Sequence, residues 1–486
     1  MTDIHTPDWV KNAVFYQIFP DRFAKSDTVP KPNNLQPWDS PPTIEGYKGG
    51  DLIGVVEHLD HIQELGATAI YFTPIFQSAS NHRYHTHDYY RVDPLLGGND
   101  ALHILLEEAH KRNIKVVLDG VFNHSSRGFF QFNDILEHGP HSPYLDWFFI
   151  QDWPLSPYDG DKPANYVGWV GNRALPKFNT DNTQVREFIM QVAEFWIHQG
   201  IDGWRLDVPF EISTPGFWQE FRARVKAINP EAYIVGEVWT DAREWLQGDQ
   251  FDGVMNYLFT EAAIAFTGGA RVRPETLEDR SYHPDRALDG RGYADRIDWL
   301  LDLYPWEITL TQLNLLDSHD TARLLNIVGG DKPSVYLATL LLMTFPGAPS
   351  IYYGDEIGLP GELDPDSRRT IQWEQQAAWD YETFAYHKAL IAMRKAHSTL
   401  RTGAYIRVYA DDAVYVFARK DDSETLLVAV NVAEEPRHVS VPVGNVLADG
   451  KALSAVWGEH GASVTGGSVA LDLHARDGVV LVASLK

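Results

Sequence analysis

Short apolar runs alternate along the chain with stretches whose apolar residues recur every three to four positions. Residues 14–19 (VFYQIF) read as a first strand. In 52–65 the residues Leu52, Val55, Val56, Leu59 and Ile62 keep a helical period, and Gly66 ends it. Strand signals return at 67–73 and 115–122, with a helix at 101–112 between them. A helix at 183–199 carries Val185, Phe188, Ile189, Val192 and Trp196 on one face. Further strands follow at 203–208, 233–239, 253–257, 312–316 and 350–353, most of them separated by helices. Repeated β-then-α order predicts a parallel sheet. Eight such units favour closure into a (β/α)8 barrel over an open doubly wound sheet.

The rhythm fails in two places. Residues 123–179 are rich in Pro, Gly, Asp and aromatics and lack periodicity, so they read as a small domain inserted after the third strand. Beyond a helix at 381–397, short β-rich runs appear at 405–409, 413–418, 425–430, 438–441 and 479–483, with turn signals such as Asp411-Asp412 and Asp449-Gly450. They predict a C-terminal antiparallel β-sandwich. The expected division is therefore 1–122 and 180–398 for the barrel, 123–179 for the insertion and 399–486 for the sandwich.

Composition narrows the function. A net charge of −26 argues against nucleic acid, which demands basic patches. The absence of cysteine excludes disulfide and thiolate chemistry and leaves oxygen or His ligands for any metal. The N-terminus has neither a basic nor an apolar leader segment, and no apolar run reaches the roughly 18 residues of a membrane span. A cytoplasmic chain that works away from membranes is expected. The 15 Trp, 22 Tyr and 23 Phe are mostly core material, but a cleft that stacks on sugar rings would draw on the same residues.

The candidate chemistry sits at strand ends, where a parallel barrel keeps its catalytic groups. In Gly203-Trp204-Arg205-Leu206-Asp207 the period of two puts Arg205 and Asp207 on one face. A guanidinium beside a carboxylate keeps it ionised, so Asp207 can serve as a nucleophile; a buried ion pair is the plain alternative. Glu237, in Ile-Val-Gly-Glu-Val-Trp, has apolar neighbours that should raise its pKa and suit it to proton donation, or it caps the next helix. Asp320, in Asp317-Ser318-His319-Asp320, can hold substrate hydroxyls beside His319, or act as an N-cap. His124, after Asp119-Gly120-Val121-Phe122-Asn123, can donate to a hydroxyl, with Asp119 and Asn123 supporting the loop. In 81–90 the residues His82, His85, His87 and Asp88 are zinc-ligand types, but the interleaved aromatics fit a substrate-lining loop with Tyr84 as a stacking platform. Convergent carboxylates with an Arg and a His are the equipment for breaking a glycosidic bond.

Taken together, these motifs resemble the α-amylase superfamily, in particular the cyclomaltodextrinase, neopullulanase and maltogenic amylase group. The matching segments are Asp119–His124, Gly203–Asp207, Gly236-Glu237 and Ser318-His319-Asp320, with Leu175–Asn179 in the insertion, and further support at 245–252 and 346–356. The resemblance implies a retaining hydrolase of α-1,4-linked glucans. Asp207 would be the nucleophile, Glu237 the acid/base and Asp320 the transition-state stabiliser. Tyr84, His124, Arg205 and His319 would line the scissile subsite, and Asp364 and Arg368 would bind the next sugar on the non-reducing side. No cofactor is implied beyond a calcium ion.

Departures from the group alter those expectations. Tyr84-His85 stands where Tyr-Asp is usual, and Trp239-Thr240 where Trp-His is usual. The group's calcium loop is here Lys25-Ser26-Asp27; lysine cannot ligate calcium, and its ammonium would stand against Asp27 and Asp51, so a weakened or absent site is expected. The chain starts at the barrel, so a dimer built on the group's N-terminal β domain is not expected, and the oligomeric state stays open. A transglycosylase or isomerase, or an α-1,6-acting α-glucosidase, would carry the same motifs. A non-catalytic sugar-binding relative is the remotest alternative, because all three carboxylates are present.

Overall fold

Every residue of the strands β1 (Phe15–Ile18), β2 (Ala69–Phe72), β4 (Gly203–Leu206) and β5 (Tyr233–Gly236) is buried, as strands must be when helices cover one face and packed side chains the other. They belong, with β3 (Lys115–Gly120), β6 (Gly253–Val254), β7 (Leu313–Asn314) and β8 (Ala348–Tyr352), to one parallel sheet in a computed structural model that describes residues 4–277, 282–459 and 461–484. The strand order is β6-β5-β4-β3-β2-β1-β8-β7. A parallel bridge from Met255 to Leu313 joins the two ends and closes the barrel. Gly203 faces Tyr233 across β4 and β5, and a Cβ there would lie 2.3 Å from the Tyr233 carbonyl oxygen. Only glycine lets these two strands, which carry Asp207 and Glu237 at their ends, lie so close.

The outer helices follow the periodic pattern. Thr183–His198 is capped by Asn182, whose side chain accepts from the Gln184 and Val185 amides. Val185, Ile189, Val192 and Trp196 are fully buried on its inner face, while Phe188 packs at the margin. Burial of each contributes about 1.5–3 kcal/mol, and the Trp196 indole N–H reaches the Tyr89 carbonyl at 2.8 Å.

Three features differ from the pattern. The helix expected at 52–65 is two, Leu52–Glu57 and Leu59–Leu65. The His58 ring Nδ1 sits 2.8 Å from the Gly54 carbonyl, which an uninterrupted helix would give to the amide of residue 58. The His58 amide turns instead to Val55. Second, the segment read as a loop at 81–90 runs into a strand, Thr86–Val92, paired antiparallel with Phe76–Ser78. Third, the C-terminal part has strands at Ala452–Trp457 and Ser468–Leu473 that the apolar pattern did not announce.

That C-terminal part has two sheets, as expected. The strands β9 (Ala404–Ala410), β10 (Val414–Lys420), β11 (Glu424–Asn431), β13 (Ala452–Trp457) and β15 (Asp477–Ser484), with the short strand Ala462–Ser463 at the edge, form the larger, and β12 (Arg437–Pro442) pairs with β14 (Ser468–Leu473) in the smaller. Val414, Val416, Leu427 and Ala429 of one face Val441, Val469 and Leu471 of the other in a separate core. Residues 123–179 hold one α-helix, Phe130–His138, and three short 3-10 turns, and are stitched by single antiparallel bridges, including His124–Lys177 and Gly168–Pro176. Those bridges tie the insertion to the end of β3.

Candidate functional site

The carboxyl ends of β3, β4, β5 and β7 open into a cavity of about 900 Å³. Its lining includes Asp207, Glu237, Asp320, Tyr84, His124, Asp364 and Arg368, with Trp169, Phe210, Trp239 and Trp245. Arg205 is fully buried beneath it. Its Nη1 lies 3.0 Å from both oxygens of Asp119 and 3.0 Å from Asp207 Oδ1, and its Nη2 lies 3.0 Å from Glu237 Oε2. One guanidinium thus serves three carboxylates. Glu237 also accepts the Val208 amide on Oε2 at 3.1 Å and the Trp239 indole N–H on Oε1 at 3.0 Å. These contacts replace the apolar surroundings that the residues next to Glu237 in sequence suggested.

A local strain accompanies this. Val208, directly after Asp207, has φ 36 and ψ 52, a left-handed conformation that a β-branched residue adopts at a cost of about 1–3 kcal/mol. The turn stops β4 after Leu206 and aims the Val208 N–H at Glu237.

Tyr84 and His319 form a second unit. The Tyr84 hydroxyl donates to Asp119 Oδ2 at 3.0 Å, and its ring lies parallel to that of His319. Gln17 Nε2 donates to His319 Nδ1 at 2.7 Å, so Nε2 carries the proton and meets the Tyr84 oxygen at 2.6 Å and Asp320 Oδ2 at 3.2 Å. Asp119, taken from sequence as loop support, is the anchor for Tyr71, Tyr84 and Arg205 together. It supplies the support for Tyr84 that the unusual His85 put in question. Arg368 holds Asp364 at 3.0 Å, and its Nε donates to the His319 carbonyl at 2.9 Å.

Electrostatics follow from the geometry. Burial pushes the Asp119 carboxyl up to about 6 against the pull of Arg205. Burial, with the negative charges of Glu237, Asp119 and Asp320, also pushes Asp207 up, while Arg205 opposes the shift. Arg205 favours the ionised form of Asp207, but its single charge is divided among three partners. Burial lowers His124 to about 3, so the ring is neutral. Its Nε2 has no partner among the described residues, and its ring stacks on Trp169 at 5.3 Å.

The loop of Lys25 and Asp51 departs from expectation. Lys25 extends over the Trp38 ring, and Asp27 is exposed. It is Lys31 that reaches the fully buried Asp51, at 2.9 Å from Oδ2. The same oxygen accepts the Ser26 amide and hydroxyl, and Oδ1 accepts the Gly54 amide at 2.7 Å. Lys31 also donates to the Leu95 carbonyl at 2.7 Å. Both Asp51 oxygens are thus engaged, one of them by the Lys31 ammonium.

Trp169, Phe210 and Tyr257 were not singled out from sequence. The insertion's Gly168-Trp169-Val170-Gly171 was the available signal for the first, an aromatic between glycines in a segment without periodicity. No helix of the described residues is long and apolar enough to cross a membrane.

Comparison with known proteins shows the family. Residues 17–376 match the family model "Alpha amylase, catalytic domain", and residues 405–476 match "Neopullulanase-like, C-terminal domain". The chain is 44% identical to a cyclomaltodextrinase from Bacillus sp over 429 residues, 87% of this chain and 73% of that one. It is 36% identical to an intracellular maltogenic amylase from Bacillus subtilis over 458 residues, 93% of this chain and 74% of that one. Among solved structures, the debranching enzyme of Nostoc punctiforme in its native form superposes with a TM-score of 0.92 at 60% identity, covering 99% of this chain and 100% of that one.

Proposed function

The chain belongs to the α-amylase family of glycoside hydrolases, and from that premise we propose that it cleaves α-1,4-glucosidic bonds of malto-oligosaccharides, cyclodextrins or starch-type glucans with retention of configuration. The observation that carries the mechanism is the Arg205 guanidinium shared by Asp119, Asp207 and Glu237 on the cleft floor. Arg205 lies against Asp207 and Glu237 together, which sets the nucleophile and the acid beside one bond. Glu237, entering as the carboxylic acid, gives its proton to the leaving glycosidic oxygen as the Asp207 carboxylate attacks the anomeric carbon. The C–O bond to the leaving sugar breaks, and an ester to Asp207 forms. Water then attacks the same carbon, Glu237 takes its proton, and Asp207 leaves as carboxylate. Asp320 and the protonated Nε2 of His319 hold hydroxyls of the distorted ring. Tyr84 offers its face to the ring, neutral His124 offers Nε2, and Asp364 and Arg368 take the next sugar on the non-reducing side.

The division of labour follows. Residues 1–122 and 180–398 carry the chemistry, 123–179 wall the cleft, and 399–486 form the β-sandwich. No organic cofactor is needed, and the Lys31–Asp51 pair supports independence from calcium at that loop. A cytoplasmic location is proposed, in keeping with the intracellular maltogenic amylase. The test of mechanism is the anomer first released from maltotriose, followed by proton NMR. The α-anomer is expected, and initial β-anomer would overturn retention.

A second reading has a specific observation behind it. The similarity to the Nostoc punctiforme debranching enzyme favours α-1,6 bonds as additional substrates. Chromatography of products from pullulan and β-cyclodextrin in parallel separates the two readings.

A further inference from the structure

Glu237 is held by a side chain whose own position is locked by the next strand end. The Trp239 indole N–H meets Glu237 Oε1 at 3.0 Å. The Trp239 ring lies flat on Tyr257, with centroids 3.5 Å apart and planes within 5°. Tyr282 closes the stack edge-on, at 79° to Trp239 and 77° to Tyr257. Tyr257 is fully buried, and its hydroxyl lies 2.9 Å from the Ser318 hydroxyl. Ser318 Oγ in turn accepts the Asp320 amide at 3.1 Å. A continuous packed path therefore runs from Glu237 through Trp239, Tyr257 and Ser318 to the backbone of Asp320.

We propose that Trp239 is a positioning residue for Glu237, clamped in plane by Tyr257, and that this clamp couples the aim of the acid to the loop that carries Asp320. The physical reason lies in what each contact leaves free. Arg205 and the Val208 amide both hold Oε2, so they fix one oxygen and leave the carboxyl able to turn about it. The indole N–H meets Oε1, and an indole laid flat on Tyr257 and flanked edge-on by Tyr282 cannot readily follow the carboxyl if it turns. A proton donor must point along a lone pair of the leaving oxygen, and small errors of aim are costly to transfer. Trp239 is only partly buried and also lines the cavity.

This rests on Glu237 being the acid, and the experiment keeps the two claims apart. A fluoride leaving group departs without needing a proton from Glu237, whereas a sugar alkoxide does not. Three proteins, wild type, Trp239→Phe and Glu237→Gln, are assayed for kcat/KM on maltotriose and on α-maltosyl fluoride. Trp239→Phe keeps an aromatic ring on Tyr257 and removes the N–H. The expected result is a loss of about 10-fold on maltotriose with a change of at most about 2-fold on the fluoride. Equal losses on both substrates, which mean a binding platform only, or no loss on either, overturn the inference. Glu237→Gln reports on the premise: undiminished cleavage of maltotriose by this variant refutes Glu237 as the acid, whatever Trp239 does. Tyr257→Leu, which keeps the N–H but removes the plane that holds it, should show the same split as Trp239→Phe; loss on both substrates alike there counts against the clamp.

Discussion

Two buried carboxylate sites in this chain are built to opposite rules. At Asp51 one ammonium, two amide N–H groups and a hydroxyl serve one carboxylate, and both its oxygens are engaged. On the cleft floor one guanidinium serves Asp119, Asp207 and Glu237, with Asp320 close by. The first is charge-balanced and satisfied, so it can only hold a loop in place. The second is short of positive charge, so burial and the neighbouring carboxylates push Asp119 and Asp207 up while Arg205 opposes the shift. A site that keeps both a proton and a carboxylate within reach of one bond can do acid and nucleophile chemistry at once.

The sharpest way to separate the two sites is to remove a carboxylate from the second. Asp207→Asn should lower kcat/KM on maltotriose by about 10⁴-fold or more, while its urea-unfolding midpoint stays at or above that of the wild type, because one negative charge leaves a crowded cluster. Retained turnover would dismiss Asp207 as nucleophile. Removing the cation instead should unfold rather than merely inactivate. Arg205→Met leaves three buried carboxyls without a counter-charge and should cost about 3–5 kcal/mol of stability. A cost under about 1 kcal/mol would show that the cluster is better hydrated than its burial implies.

The next effect is a dependence on pH. The folded chain keeps the Asp119 proton up to about 6, the unfolded chain only to its ordinary value near 4. Between these values the folded state binds more protons, so the stability due to this group is full below about pH 4 and is lost as pH rises through 6. The difference in urea stability between wild type and Asp119→Asn, measured from pH 4.5 to 7, should change by about 2 kcal/mol in that sense. A flat difference curve would remove the raised carboxyl from the account. At the balanced site Lys31→Met should cost only about 1–3 kcal/mol, since Asp51 keeps its other donors. Smallest of all, adding a chelator to the wild type should move the melting temperature by no more than about 1–2 °C; a larger drop would mean that a metal ion, not Lys31, balances Asp51.

Much of the cleft was legible because strand geometry is regular. A residue two positions before a strand-end Asp must share its face, which puts Arg205 beside Asp207 from sequence alone. The same regularity placed Glu237 directly after β5, whereas Asp320, expected at a strand end, lies six residues beyond β7 in a turn. What stayed hidden depends on how side chains meet across turns. Lys25 stands next to Ser26 and Asp27 in the chain, yet the loop swings it out to Trp38 and brings Lys31 back onto Asp51. The neighbours of Glu237 in sequence are apolar, but its contacts come from Arg205, Val208 and Trp239. Tyr257 lies 18 positions beyond Trp239, and nothing in the spacing says that the two rings stack. The break at His58 and the strands at 452–457 and 468–473 escaped for a like reason: a side-chain hydrogen bond and a facing sheet decide them, not the local apolar period.

The central claim is that Asp207 and Glu237 divide nucleophile and acid/base work over one guanidinium. Incubating Glu237→Gln with α-maltosyl fluoride tests it directly, because the first step needs no proton and the second lacks its base. Mass spectrometry of the digested protein should find one maltosyl group on the peptide containing Asp207. A label on any other residue, or consumption of the fluoride with the protein left unlabelled, would contradict it.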